Sequence, residues 1–327
     1  MPQRLRQLEH WLGQACGLHG FSLEPASADA SFRRYFRITL AGGETFVAMD
    51  APPDREDCRP FLDVAARFAA AGLHVPYIHH ADVDQGFVLL EDLGRVAYLA
   101  ALGDDTADTL YGDAVAALVR LQAGADCEGL PVYDGPMLQR EMQLFPDWLL
   151  DRHLGLVLSD AERAMLAAAR HILVVNALEQ PTACVHRDYH SRNLMRVAHG
   201  NPGVIDFQDA VVGPISYDLV SLLRDCYIGW PAARVAAWID AYLGQAQAAG
   251  LLAGVTRDRL HAWFDLMGAQ RHLKAAGIFA RLNHRDGKPG YLADIPRTLG
   301  YIVDVGERRA ALRDLGRFVA DRVLPCL

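Results

Sequence analysis

The run His186-Arg187-Asp188-Tyr189-His190-Ser191-Arg192-Asn193 lies between two short apolar segments, Ala183-Cys184-Val185 and Gly203-Val204-Ile205. Each segment reads as a buried strand, and each leads into an acidic residue on a loop. Asp188 and Asn193 are five apart, and Asp206 follows Asn193 by thirteen. If the two strands pair as a hairpin, all three side chains come to one end of the pair. Phosphoryl transfer needs such a set: one carboxylate to orient the acceptor hydroxyl and take its proton, and an amide and a second carboxylate to hold Mg2+ against the phosphates. Oxygen donors suit Mg2+, which takes few protein groups and keeps phosphate oxygens and waters. Taken singly, Asp188 and Asp206 also read as ordinary loop or turn residues. The joint pattern of strand, loop, strand and loop favours chemistry.

Upstream, residues 20–93 read as a small, sheet-rich lobe with one helix. An amphipathic helix over 4–18 precedes it. Tyr35 to Leu40 and Glu44 to Met49 are strand-like runs joined by Ala41-Gly42-Gly43, a hairpin signal. Pro52-Pro53 ends the second strand. Residues 57–71 form a helix pattern with Phe61, Leu62, Ala65 and Phe68 on one side. Val75 to Ile78 and Gly86 to Leu90 read as further short strands.

After Gly94 the pattern turns helical, over about 106–124, 137–153 and 159–178. The third opens on the capping box Ser159-Asp160-Ala161-Glu162. Helices return over 216–327.

The 327 residues carry a formal charge of −8 and no long basic block, which argues against nucleic acid. The N-terminus has no signal-peptide core, and no apolar run approaches the ~20 residues of a membrane span. Six scattered cysteines with no C-x-x-C read as reduced thiols. These features read as a cytoplasmic protein without nucleic-acid or membrane partners.

The catalytic run followed by Ile205-Asp206-Phe207 resembles the catalytic loop and metal-binding segment of protein kinases. It is closer to the aminoglycoside phosphotransferase family. That family's His-Gly-Asp-x-His-x-x-Asn matches His186, Asp188, His190 and Asn193. Its Ile-Asp-Trp/Phe-x-Asp/Glu-Ala matches Ile205, Asp206, Phe207, Asp209 and Ala210. Its Gly-Pro/Asp-x-x-x-Asp-Leu-Ala matches Gly213 through Val220, with Asp218 at the aspartate.

The resemblance covers essentially the whole chain. It implies an α+β, protein-kinase-like two-lobe fold, with a small β-rich nucleotide-binding lobe over 1–93 and a larger helical catalytic and acceptor-binding lobe over 94–327. It makes Asp188 the catalytic carboxylate and Asn193 and Asp206 the Mg2+ ligands. His186 and Asp218 become braces of the loop, and His190 a structural residue. Leu89-Leu90-Glu91-Asp92-Leu93 resembles the adenine-binding connector, with Glu91 and Leu93 at its contacts.

The small lobe departs from the family. Ala30 replaces the glycine of the segment over the nucleotide phosphates. Met49 occupies the slot of the phosphate-binding lysine, and the paired helix glutamate falls at Phe61. An ion pair replaced by an apolar pair can be neutral for stability. The ATP phosphates must then be met by other charges, and Arg33 and Arg34 are the candidates.

For the acceptor, Arg271, Lys274 and Arg281 lie near one face of a helix at spacings of three and seven. They read either as a solvated face or as an anion-friendly pocket. The second reading disfavours a cationic aminoglycoside. Asp209 and Arg192 are further acceptor candidates. Asn283 through Pro289 and the runs around Asp50, Asp92 and Asp209 resemble one branch of the family, the anomeric N-acetylmuramate/N-acetylglucosamine kinases of cell-wall recycling. That branch phosphorylates an amino sugar at its C1 hydroxyl with ATP and Mg2+. The alternatives are a kinase for another small molecule (an aminoglycoside, choline or an amino alcohol) and a non-catalytic kinase-like nucleotide binder.

Overall fold

The structure, a computed structural model, describes residues 2–27 and 32–327. Ala30, where the family glycine is replaced, lies outside the described residues. The chain forms two compact units: Met1–Val96 with Met195–Asp209, and Ala97–Leu194 with Ala210–Leu327.

The first unit is built on a five-stranded antiparallel sheet. Its strands are β1 (Ser22–Ser27), β2 (Arg34–Thr39), β3 (Thr45–Asp50), β4 (Ile78–Asp82) and β5 (Phe87–Glu91), in the order β1-β2-β3-β5-β4. The hairpin predicted at Ala41-Gly42-Gly43 joins β2 to β3, with Thr39 opposite Thr45. Helix α1 (Pro2–Gln14) buries Leu8, Trp11 and Leu12 against Ile38, Ala48, Phe87 and Leu89. Helix α2 (Arg59–Ala70) buries Phe61, Val64, Ala65 and Phe68.

The strand predicted at Val75 to Ile78 is found three residues later, as β4. Pro76 has no N–H for a ladder. Tyr77 spends its N–H on the Glu91 carboxylate at 3.1 Å and its carbonyl on the Glu91 N–H at 2.8 Å.

The second unit is mainly helical: α3 (Tyr98–Ala101), α4 (Ala107–Gly124), α5 (Gly135–Met142), α6 (Asp160–Leu178), α7 (Tyr217–Leu223), α8 (Ala232–Ala248), α9 (Arg257–Asp286), α10 (Ile295–Arg308) and α11 (Arg313–Phe318). The capping box at Ser159 and Glu162 is formed. The single helix expected over 137–153 is instead α5 followed by a π-helical stretch, Phe145–His153. Pro146 withholds a backbone donor there, which lets the ladder slip to a wider turn. Helix α9 is 30 residues long. Gly277 lets it meet the preceding backbone: a Cβ there would lie 2.3 Å from the Leu144 carbonyl carbon.

Four short strands complete the chain: β6 (Thr182–Val185), β7 (Leu194–Met195), β8 (Gly203–Val204) and β9 (Val211–Pro214). The expected hairpin between 183–185 and 203–205 is not present. β6 pairs with β9, Val185 facing Val211, and β8 pairs with β7. Both runs are too short and too uniformly apolar for their pattern to choose a partner.

All six cysteines are free thiols. Among the described residues, no helix is long and apolar enough to cross a membrane.

Candidate active site

In the second unit, β6 delivers the loop that begins at His186. Asp218 at the start of α7 is fully buried and accepts the His186 N–H at 2.6 Å and the Arg187 N–H at 3.0 Å. Burial pushes its carboxyl up to about 6, against the pull of the His186 ring and those two N–H groups. Arg187 sits at φ 77°, left-handed for a residue with a side chain. Such a conformation persists only where surrounding contacts over-determine it. Here Asp218 holds the Arg187 backbone, while its guanidinium reaches Glu141 at 2.5 Å.

The loop then folds on itself. The Asp188 N–H donates to His186 Nδ1 at 3.2 Å, so that nitrogen carries no proton. The Asp188 carbonyl accepts from the His190 N–H and from Asn193 Nδ2, each at 3.0 Å. A second buried carboxylate, Asp225, accepts the Ser191 N–H at 2.9 Å and its hydroxyl at 2.5 Å. His186 and Asp218 therefore occupy bracing positions. Asp225 is a further brace that no short motif announced.

Asp188 is half-buried. Burial pushes its carboxyl up, but Lys274, His190, Arg271 and His186 outweigh that and hold it below the usual carboxylate range. Burial also lowers His190 to about 4, so it is neutral at neutral pH. Lys274 and Arg271 are then the durable cations. The result is an ionised carboxylate in a low-dielectric site, the state needed to accept a hydroxyl proton.

Arg271 and Lys274 are buried on α9, which removes the solvated-face reading for those two. Lys274 Nζ lies 3.1 Å from Glu141 and 3.0 Å from the Tyr217 hydroxyl. Glu141 also accepts from Tyr133, so one carboxylate balances Lys274 and Arg187 together. Desolvation raises the Glu141 carboxyl, but Lys274 and Arg187 bring it below its usual value. Arg271 Nη1 lies 3.7 Å from Cys226 Sγ. Arg281 is half-buried, and its Nε makes no hydrogen bond.

Arg192 is exposed and stacks over Tyr227, 3.9 Å from the ring centre, with the Tyr291 ring at 5.4 Å. Tyr291 in turn stacks on Phe279. Glu141, Asp225, Tyr227 and Tyr291 escaped the sequence reading. They lie far from the motif in the chain, and only tertiary folding brings them to it.

In the first unit, Asp206 follows β8 at φ 65°, again left-handed. Its Oδ1 accepts from Gln208 Nε2 at 3.0 Å. The next residue, Phe207, is fully buried and packs on Phe61 and Phe68, with ring centres 4.9 and 5.7 Å away. Met49 and Phe61, in the slots of the family's lysine and glutamate, are both buried in apolar surroundings.

Arg34 pairs with fully buried Asp50, which also takes Arg4 at 2.8 Å. Arg33 is half-buried. Glu91 pairs with His74 at 3.2 Å, and Leu93 is buried. Between them Asp92 holds Arg37 through two bonds of 2.6 and 2.9 Å, and Arg37 also donates to the Gly94 carbonyl. Asp209 is exposed.

In the second unit a braced, ionised aspartate is followed by an amide, the loop pattern of a kinase-type phosphotransferase, and in the first unit a second aspartate stands on a strained turn. Residues 22–263 match the phosphotransferase enzyme family, and the chain belongs to it. It is 47% identical to an N-acetylmuramate/N-acetylglucosamine kinase of Pseudomonas putida, covering 98% of each chain. A relative of the same name from Neisseria meningitidis is 43% identical, over 98% of this chain and 96% of its own. Solved structures share the fold. An ADP-bound aminoglycoside phosphotransferase superposes with a TM-score of 0.60 at 15% identity, covering 89% of this chain and 97% of its own. An ethanolamine kinase of Plasmodium vivax gives 0.67 at 9%, covering 95% and 89%.

Proposed function

We propose that this chain phosphorylates an amino sugar at its C1 hydroxyl with ATP, acting on N-acetylmuramate and N-acetylglucosamine in cytoplasmic cell-wall recycling. The observation that carries this reading is the 47% identity, over nearly the whole of both chains, to a relative of that name. The cation-rich surroundings of Asp188 support it, because Lys274 and Arg271 disfavour a cationic acceptor such as choline or an aminoglycoside.

In this reading Asp188 accepts the C1 hydroxyl proton as the sugar oxygen bonds to the γ-phosphorus. The bond from that phosphorus to the bridging oxygen breaks, and ADP leaves. Positioning and charge neutralisation supply most of the rate. Asn193 and Asp206 offer an amide oxygen and a carboxylate, hard donors that fit Mg2+, whose role would be to offset phosphate charge.

Residues 1–93 serve as the nucleotide lobe, with Glu91 and Leu93 at adenine and Arg33 and Arg34 toward the phosphates. Residues 94–327 hold the catalytic loop and the acceptor, the latter through Arg192, Asp209, Arg271, Lys274 and Arg281.

An acceptor screen tests this. ADP release is expected with both amino sugars, and NMR should find the product phosphate coupled to the anomeric carbon. Turnover confined to choline, ethanolamine or an aminoglycoside would overturn the reading.

A further inference from the structure

We propose that Arg192 reads the carboxylate of an acidic amino sugar, and so sets the preference between the acidic and the neutral acceptor. The inference rests on the amino-sugar reading above and names the residue that divides its two substrates.

Three other cations near the loop are already engaged. Arg187 and Lys274 share Glu141. Arg271 is buried beside Cys226 and helps hold Asp188 ionised. Arg192 differs: among the described residues no carboxylate pairs with it, and it is exposed.

It nevertheless lies against two aromatic rings. Its guanidinium lies 3.9 Å from the centre of the Tyr227 ring and 5.4 Å from that of Tyr291. Phe279 backs Tyr291 at 5.6 Å, nearly parallel. A guanidinium held by its face keeps its edge donors available for a forked bond to a carboxylate, at little cost in side-chain entropy.

The backbone supports the same arrangement. Asp225 accepts from Ser191, the residue before Arg192, and also from the Tyr227 N–H at 2.9 Å. One carboxylate therefore anchors the chain at Arg192 and the ring beneath it. Arg192 also stands one residue before Asn193 and four after Asp188, on the same loop. N-acetylmuramate has a lactyl carboxylate and N-acetylglucosamine has none, so a forked bond there acts on only one of them.

The test compares kcat/KM for the two sugars in wild type, Arg192→Met and Arg192→Lys. The ratio of acidic to neutral sugar should fall about tenfold or more in Arg192→Met, chiefly through KM for the acidic sugar. Arg192→Lys, which keeps charge but not the fork, should fall between. Should Arg192→Met fail to fold, Arg192→Lys and Tyr291→Leu give the same reading. An unchanged ratio, even with both rates lowered, overturns the proposal, because it marks a merely structural arginine. Wild type turning over neither sugar would instead overturn the amino-sugar reading.

Discussion

Arg187 reaches Glu141 at 2.5 Å from a left-handed backbone one residue before Asp188. The strained turn that leads into Asp188 is thus tied to a buried anion on α5. Replacing Glu141 with Ala leaves Arg187 and Lys274 as uncompensated buried cations. The loss should be about 3–5 kcal/mol, read as a lower urea midpoint. Unchanged stability would mean that water already screens the cluster.

Asp188→Asn should lower turnover by about a hundredfold to ten-thousandfold, while thermal unfolding stays close to wild type. The exchange removes the proposed proton acceptor and keeps the shape, and the loop bonds run through backbone groups rather than through the Asp188 carboxylate.

Lys274→Met removes a cation that depresses the Asp188 carboxyl. In the proposed mechanism Asp188 acts ionised, so the acid limb of kcat/KM should move to higher pH. Activity would fall more at pH 6 than at pH 8. An acid limb left in place would show that Lys274 acts only through packing.

Stability should fall in mild acid. Burial lowers His190 to about 4 and His272 to about 3, so between the ordinary histidine pKa and those values the unfolded chain binds more protons. Their contribution is full above about pH 6.5 and is lost as pH falls. Asp218, raised to about 6, works the other way, its contribution falling as pH rises toward that value. Two histidines against one aspartate leave the net slope with the histidines. His272→Gln should therefore flatten the melting temperature between pH 6.5 and 4.

Gly277→Ala forces a Cβ into the Leu144 carbonyl, where 2.3 Å would separate the atoms. Overpacking of this kind costs about 1–3 kcal/mol, measurable by denaturant unfolding.

The sequence was most legible where the chemistry is local. Asp188, Asn193 and Asp206 sit on loops after short strands, and the bracing of His186 and Arg187 by Asp218 matches the motif. The turn at Ala41-Gly42-Gly43 and the cap at Ser159 also read directly, because backbone conformation and capping chemistry depend on neighbours in the chain. Pairing did not: β6 takes β9 rather than the run at 203–205. Charge was equally opaque. Arg271 and Lys274 fit a solvated helix face as well as a pocket until Glu141 and Cys226, distant in sequence, come to meet them.

Helix α7 carries one of the loop's two carboxylate anchors at each of its ends. Asp218 takes His186 and Arg187, and Asp225, just past the last turn, takes Ser191. The loop therefore inherits its span from the spacing between those aspartates. One residue inserted in α7 would rotate the downstream end of the helix by about 100° and advance it by about 1.5 Å, pulling the two anchors out of step. A change in the length of that helix would thus disturb the loop, whereas the side chains of Arg192, Tyr227 and Tyr291 take no part in the bonds to Asp218 and Asp225.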